Sequence, residues 1–77
     1  MNTADMLIYV HPELDTQARW KLEKRVMGCV GVDCAEFDHH HPHPHAMIIK
    51  YNPDEIQGMD ILSIVRTVDP VASRVEL

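Results

Sequence analysis

Five of the six histidines fall between His39 and His45, in the stretch DHHHPHPHA (Asp38 to Ala46), interleaved with Pro42 and Pro44. Neutral imidazole is a borderline ligand that suits zinc, nickel, copper(II) and cobalt, and short histidine-rich tracts are recognised metal-binding compositions. In an extended chain alternate side chains project the same way, so His39, His41, His43 and His45 would present a row of overlapping His-x-His pairs, with His40 beside them. The two prolines bias the backbone toward extended or polyproline geometry and lower the entropy lost when a metal orders the loop. A three-residue polyproline winding would instead split the row across faces and weaken chelation. With surplus ligands, such a loop would buffer ions in exchanging arrangements rather than hold one rigid tetrahedral site. Imidazole titrates near neutrality, so acidification would protonate the cluster and release the metal. The competing reading is a solvated loop in which histidine means no more than serine or asparagine.

The elements that must position this stretch are legible on either side of it. The first apolar run, MLIYV (Met6 to Val10), is β-prone on both faces, as a central strand requires, and His11-Pro12 ends it. Asp15 is placed to cap a helix from Thr16 to about Gly28, with Ala18, Leu22, Val26 and Cys29 on one face. Gly28 supplies a helix stop and Gly31 a turn. A second strand reads VDCAEFD (Val32 to Asp38), with Ala35 and Phe37 on one face and Cys34 and Glu36 on the other. A third, AMIIKY (Ala46 to Tyr51), follows the histidines too closely for a crossover helix. The two therefore read as an antiparallel hairpin with the histidines at its tip. A second helix from about Gly58 to Val68 carries Ile61, Leu62, Val65 and Val68, and Asp69-Pro70 stops it before a last strand, Ala72 to Leu77. The order βαββαβ with right-handed crossovers predicts an α+β ferredoxin-like sandwich, a four-stranded antiparallel sheet with two helices on one face.

Composition narrows the function classes. Seventy-seven residues, 45% hydrophobic and 25% charged, fit one small globular domain. The net charge of −5 argues against nucleic acid, whose affinity comes from clustered Lys and Arg. The one basic run, RWKLEKR (Arg19 to Arg25), is broken by a glutamate and reads as a solvated helix face. The first residues lack the charged-apolar-small order of a signal peptide and no apolar run is long enough to span a bilayer, so the default expectation is a cytoplasmic chain without membrane insertion. No nucleophile is paired with a base and no Gly-rich phosphate loop is present, which argues against an enzyme.

The stretches LEKRVMGCVGV (Leu22 to Val32) and YNPDEIQGMDILSIVRTVDPVASRVEL (Tyr51 to Leu77) resemble the heavy-metal-associated (HMA) domain of copper chaperones and metal-transporting P-type ATPases. In that family a helix of the type IEKxLxxxxGV leads into the second strand, and a YDPxxVSxxDILxxI segment introduces the second helix. The resemblance runs over nearly the full length and implies the same ferredoxin-like fold. It does not carry over the family's metal ligands. Those are the two cysteines of a GMxCxxC motif, and aligning backwards from Leu22 puts their positions on Asp15 and Ala18. The soft two-thiolate site that suits Cu(I) is therefore missing.

Topology then relocates the question. In a βαββαβ sandwich the turn after the first strand and the hairpin between the second and third strands end at the same pole. His11, Glu13 and Asp15 should accordingly lie beside His39, His40, His41, His43 and His45, joined by the turn at Asp69 and Pro70. The expected site is thus His39, His40, His41, His43 and His45 with His11, holding a divalent transition metal (Zn, Ni, Cu or Co), zinc or nickel first. The expected role is a metallochaperone, buffer or sensor that exchanges metal with a transporter or metalloenzyme. Cys34 reads as a small half-buried residue or a further ligand, and Cys29 as core. Trp20 and Met27 face away from the core stripe, as a docking surface or as rim packing under Lys24 and Arg19. An apolar open sheet face, through Ile48 and either Leu7 with Tyr9 or the alternate set, would support a homodimer. The alternative function is an interaction or dimerisation module whose histidines are incidental.

Overall fold

The computed structural model describes residues 3–37 and 45–76. The elements run β1 (Ala4–Tyr9), α1 (Thr16–Met27), β2 (Val32–Phe37), β3 (Ala46–Tyr51), α2 (Gly58–Arg66) and β4 (Ser73–Glu76). The strands form one antiparallel sheet in the order β2-β3-β1-β4, so β1 is central, as its two apolar faces demand. This is the α+β ferredoxin-like architecture.

Alternation along each strand decides which face is covered. Met6 and Ile8 of β1, Ala35 and Phe37 of β2, and Met47, Ile49 and Tyr51 of β3 are buried on one face. Against them pack Leu22 and Val26 of α1 and Ile61, Leu62 and Val65 of α2, completing one core that also takes in Val10 and Ala72. Each fully buried aliphatic or aromatic side chain contributes about 1.5 to 3 kcal/mol, which is why so short a chain concentrates its large residues here. Among the described residues no helix lies over the opposite face, which presents Leu7 and Tyr9 of β1, Ile48 of β3 and Val75 of β4.

Helix α1 begins where Asp15, in extended conformation, accepts the Ala18 N–H on its Oδ1 at 2.7 Å. That bond satisfies one of the free donors of the first turn. Helix α2 begins with the Asp60 carboxylate accepting the Gln57 N–H at 3.2 Å. It ends at Arg66, two residues short of the Val68 expected from periodicity. The chain winds down there through a tight turn, Thr67 Oγ1 donating to the Ile64 carbonyl and the Val68 and Asp69 N–H groups to that of Val65. Val68 is consequently exposed rather than part of the buried stripe.

Two further expectations are corrected, for the first strand and for Arg19, and one irregularity is added in β2. The first strand starts at Ala4, not Met6, because the ladder with β3 extends to Ala4↔Tyr51 and Asp5↔Lys50 although neither Ala nor Asp favours strands. Strand β2 is irregular at its start: the register jumps from Val32↔Tyr51 to Cys34↔Lys50, leaving Asp33 as the extra residue of a bulge. Arg19 is no part of a solvated face. It is buried on the core side of α1 in the place read for Ala18, which is only half-buried.

The end of the molecule away from His11 and His45 is held by close backbone approach. Gly31 has φ +94°, a conformation that L side chains rarely adopt, and its carbonyl accepts the Asn52 N–H at 2.7 Å. A Cβ on Gly31 would lie 2.9 Å from both Glu55 Cβ and Ile56 Cγ2. No helix among the described residues is long and apolar enough to cross a membrane.

Candidate metal-binding pole

Strands β1 and β3 bring the first two candidate residues together. The ladder closes at Tyr9↔Ala46, and one step beyond it the Val10 N–H donates to the His45 carbonyl at 2.8 Å. His45 is exposed, with its ring 5.9 Å from that of Tyr9 and tilted by 36°. His11 follows Val10, so His11 and His45 lie at one end of the sheet. Strand β2 reaches the same end, since Phe37 is paired with Met47. His39, His40, His41 and His43 lie outside the described residues.

His11 is held by its neighbours on three sides. Its carbonyl accepts the Leu14 N–H at 3.1 Å, closing a tight turn over Pro12 and Glu13. Its ring Nδ1 accepts the Glu13 N–H at 3.1 Å. Its own N–H donates to Asp69 Oδ2 at 2.7 Å, a bond that crosses 58 positions of sequence. A neutral imidazole that accepts at Nδ1 carries its proton on Nε2, so neither ring nitrogen offers a free lone pair in this arrangement. Coordination through Nδ1 displaces the Glu13 N–H. Coordination through Nε2 shifts the proton to Nδ1, where it faces that same N–H.

Asp69 is the polar anchor of this end and is only 5% exposed. Besides His11 it serves the connector after α2, its Oδ1 accepting the Val71 N–H at 3.2 Å and its carbonyl the Ala72 N–H at 3.1 Å. Hydrogen bonds to a charged group are stronger than those between neutral groups, so Asp69 ties the two crossovers together. Arg19 braces the same end from below. Its guanidinium donates to the Leu14 carbonyl through one terminal nitrogen and to Thr16 Oγ1 through the other, the latter at 3.2 Å.

In the sequence alone Asp69 reads as no more than a helix stop. The sign that it does more is the Asp-Pro-Val order, because an Asp side chain commonly binds the N–H two residues on. Arg19 carries no such sign, since a charged residue on a helix is ordinarily solvated.

The cysteines stand apart. Cys34 is half-buried opposite Lys50, three residues back along β2 from Phe37, which is about 10 Å of strand away from the histidine end. Cys29 is half-buried rather than core, its Sγ–H donating to the Arg25 carbonyl at 3.5 Å. Of the carboxylates, Asp15 is engaged as the α1 cap and Glu13 is exposed. Trp20 and Met27 are both exposed; Lys24 Nζ lies 4.8 Å from the centre of the Trp20 ring, whereas Arg19, the other side chain read as covering them, is buried. Among the described residues no three of His, Cys, Asp and Glu are gathered closely enough to hold a metal ion. No family model matches the chain, and no curated protein matches it.

Proposed function

We propose that this chain binds a divalent transition metal, zinc or nickel first, through the histidines between β2 and β3, and buffers it, senses it or hands it to a transporter or metalloenzyme. The observation that carries the reading is the donor set itself, His39, His40, His41, His43 and His45 within seven residues. It is a collection of borderline nitrogen ligands without the thiolates that would select Cu(I). The proposal rests also on the resemblance to heavy-metal-associated domains, with Asp15 and Ala18 where the cysteines would stand. His11 contributes a ligand only by surrendering its hydrogen bond with Glu13, so the hairpin histidines carry the main share of the affinity.

Isothermal titration with Zn, Ni, Cu and Co tests this, comparing the native chain with one in which His39, His40, His41, His43 and His45 are replaced by serine. Saturable binding by the native chain, abolished in the serine variant and lost on acidification as imidazole protonates, is the expected result. Equal and negligible heats from both chains would leave the interaction-module reading. That second reading is favoured by the uncovered sheet face, where Tyr9, Ile48 and Val75 are all exposed.

A further inference from the structure

The uncovered face of the sheet has a pattern that one kind of partner fits. The ladders fix which residues lie side by side on it. Asp5 lies opposite Lys50, Leu7 opposite Ile48 and Tyr9 opposite Ala46, always β1 against β3. On the outer strands Glu36 flanks Ile48 and Val75 flanks Leu7. The centre is therefore apolar, one end carries a single positive and a single negative charge side by side, and the other end carries Tyr9.

Two copies can stack such faces with a twofold axis in the plane between them, along the strands or across them. An axis across the strands sets Asp5 over the second copy's Tyr9 and Lys50 over its Ala46, stranding each charge against an uncharged residue. An axis along the strands, midway between β1 and β3, exchanges the two strands and keeps the rows in place. Asp5 then lies over the second copy's Lys50 and Lys50 over its Asp5, while Leu7 meets Ile48 on both sides. Tyr9 covers Ala46, and the carboxylate of Glu36 falls at the rim beside Val75, where it keeps its water. Packed sheets turn by about 30° against one another, which keeps Leu7 over Ile48 and offsets the Asp5/Lys50 row by about one residue spacing, within reach of the long lysine side chain.

We infer that the open sheet face is a self-complementary interface for a second copy of this chain, with the twofold axis parallel to β1 and β3. Its extent sets its strength. Four strands about 4.8 Å apart and about five residues long offer on the order of 300 to 400 Å² per copy, short of the roughly 1,200 Å² in total that stable interfaces bury. A reversible dimer is expected, with a dissociation constant on the order of 10 to 500 μM. This pairing is independent of metal binding and holds in metal-free solution.

Analytical ultracentrifugation of the metal-free chain from about 10 μM to 1 mM, with Asp5→Lys and Lys50→Glu, tests it. Each single reversal places like charges together twice in the dimer and should weaken it at least about tenfold. Mixing the two variants should restore association. In the mixed dimer the lysine introduced at position 5 of one copy meets the glutamate introduced at position 50 of the other, and the native Lys50 of the first meets the native Asp5 of the second. Loss of folding cannot mimic that rescue. As a measurement free of substitutions, native amide shifts that move on dilution should cluster on Asp5, Leu7, Tyr9, Ala46, Ile48 and Lys50. A native chain that stays monomeric to about 1 mM, a dimer indifferent to both reversals, or dilution shifts centred on α1 would each overturn the inference.

Discussion

The two ends of the sheet are closed by different means. At the far end, where α1 passes into β2 and β3 into α2, closure is a matter of backbone against backbone: Gly31 at φ +94°, its carbonyl bound to the Asn52 N–H, and no room for a Cβ beside Glu55 and Ile56. At the histidine end backbone bonds, such as that from the Val10 N–H to the His45 carbonyl, are joined by several side chains reaching to backbone. Asp69 holds the His11 and Val71 N–H groups, Arg19 holds the Leu14 carbonyl, and the His11 ring holds Glu13. Backbone approach tolerates almost no change, because nothing small can be removed from it. A set of separate side-chain bonds can be given up one at a time, and that suits an end at which a ligand is expected to compete for one of them.

The largest break in this contrast should come from Gly31→Ala. Positive φ and the overlap with Glu55 and Ile56 together predict a loss of about 3 kcal/mol, read as a shift of the urea midpoint without a change of slope. A loss below about 1 kcal/mol would mean that the far end is as adjustable as the near one. Asp69→Ala should follow, at about 2 kcal/mol, since two carboxylate hydrogen bonds vanish from a buried position. Hydrogen exchange should accelerate at the His11 and Val71 amides before it does anywhere in the core. Exchange rising uniformly across the sheet would show instead that Asp69 belongs to the global core. The smallest effect is expected from His11→Ala, about 0.5 to 1 kcal/mol from the lost bond to Glu13. Zinc heats for this variant should stay close to native. A drop as large as that caused by losing a hairpin histidine would make His11 a full ligand and the turn a mere ground state.

Much of the fold was legible because the strands obey period two and the helices carry compact apolar stripes. The central place of β1 followed from MLIYV being apolar on both faces, and the Asp15 cap and the Ala35/Phe37 face were readable residue by residue. What the sequence hid was whatever depended on a distant partner. The ladder with β3, not local preference, recruits Ala4 and Asp5 into β1, and the bulge at Asp33 exists only relative to Tyr51 and Lys50. Arg19 is buried because Leu14 and Thr16 satisfy it, a condition invisible in a helical wheel. At the candidate site, topology was enough to bring His11, His45 and Asp69 to one end. It was not enough to reveal that the His11 ring already has an occupation, since that depends on a turn only a few residues long.

The bulge in β2 has a consequence for how copies of this chain avoid one another. Among the described residues the two outer strands, β2 and β4, each have a strand on one side only, and such an edge is the kind of template on which sheets grow into fibres. On β2 the extra residue Asp33 interrupts the regular spacing that an added strand would need, and the acidic Asp33 and Glu36 both face solvent. On β4 the regular stretch is only four residues long, Ser73–Glu76. Lateral polymerisation is thereby discouraged at both flanks, and the proposed face-to-face pairing would be the contact left open, one that closes on itself so that growth stops at two.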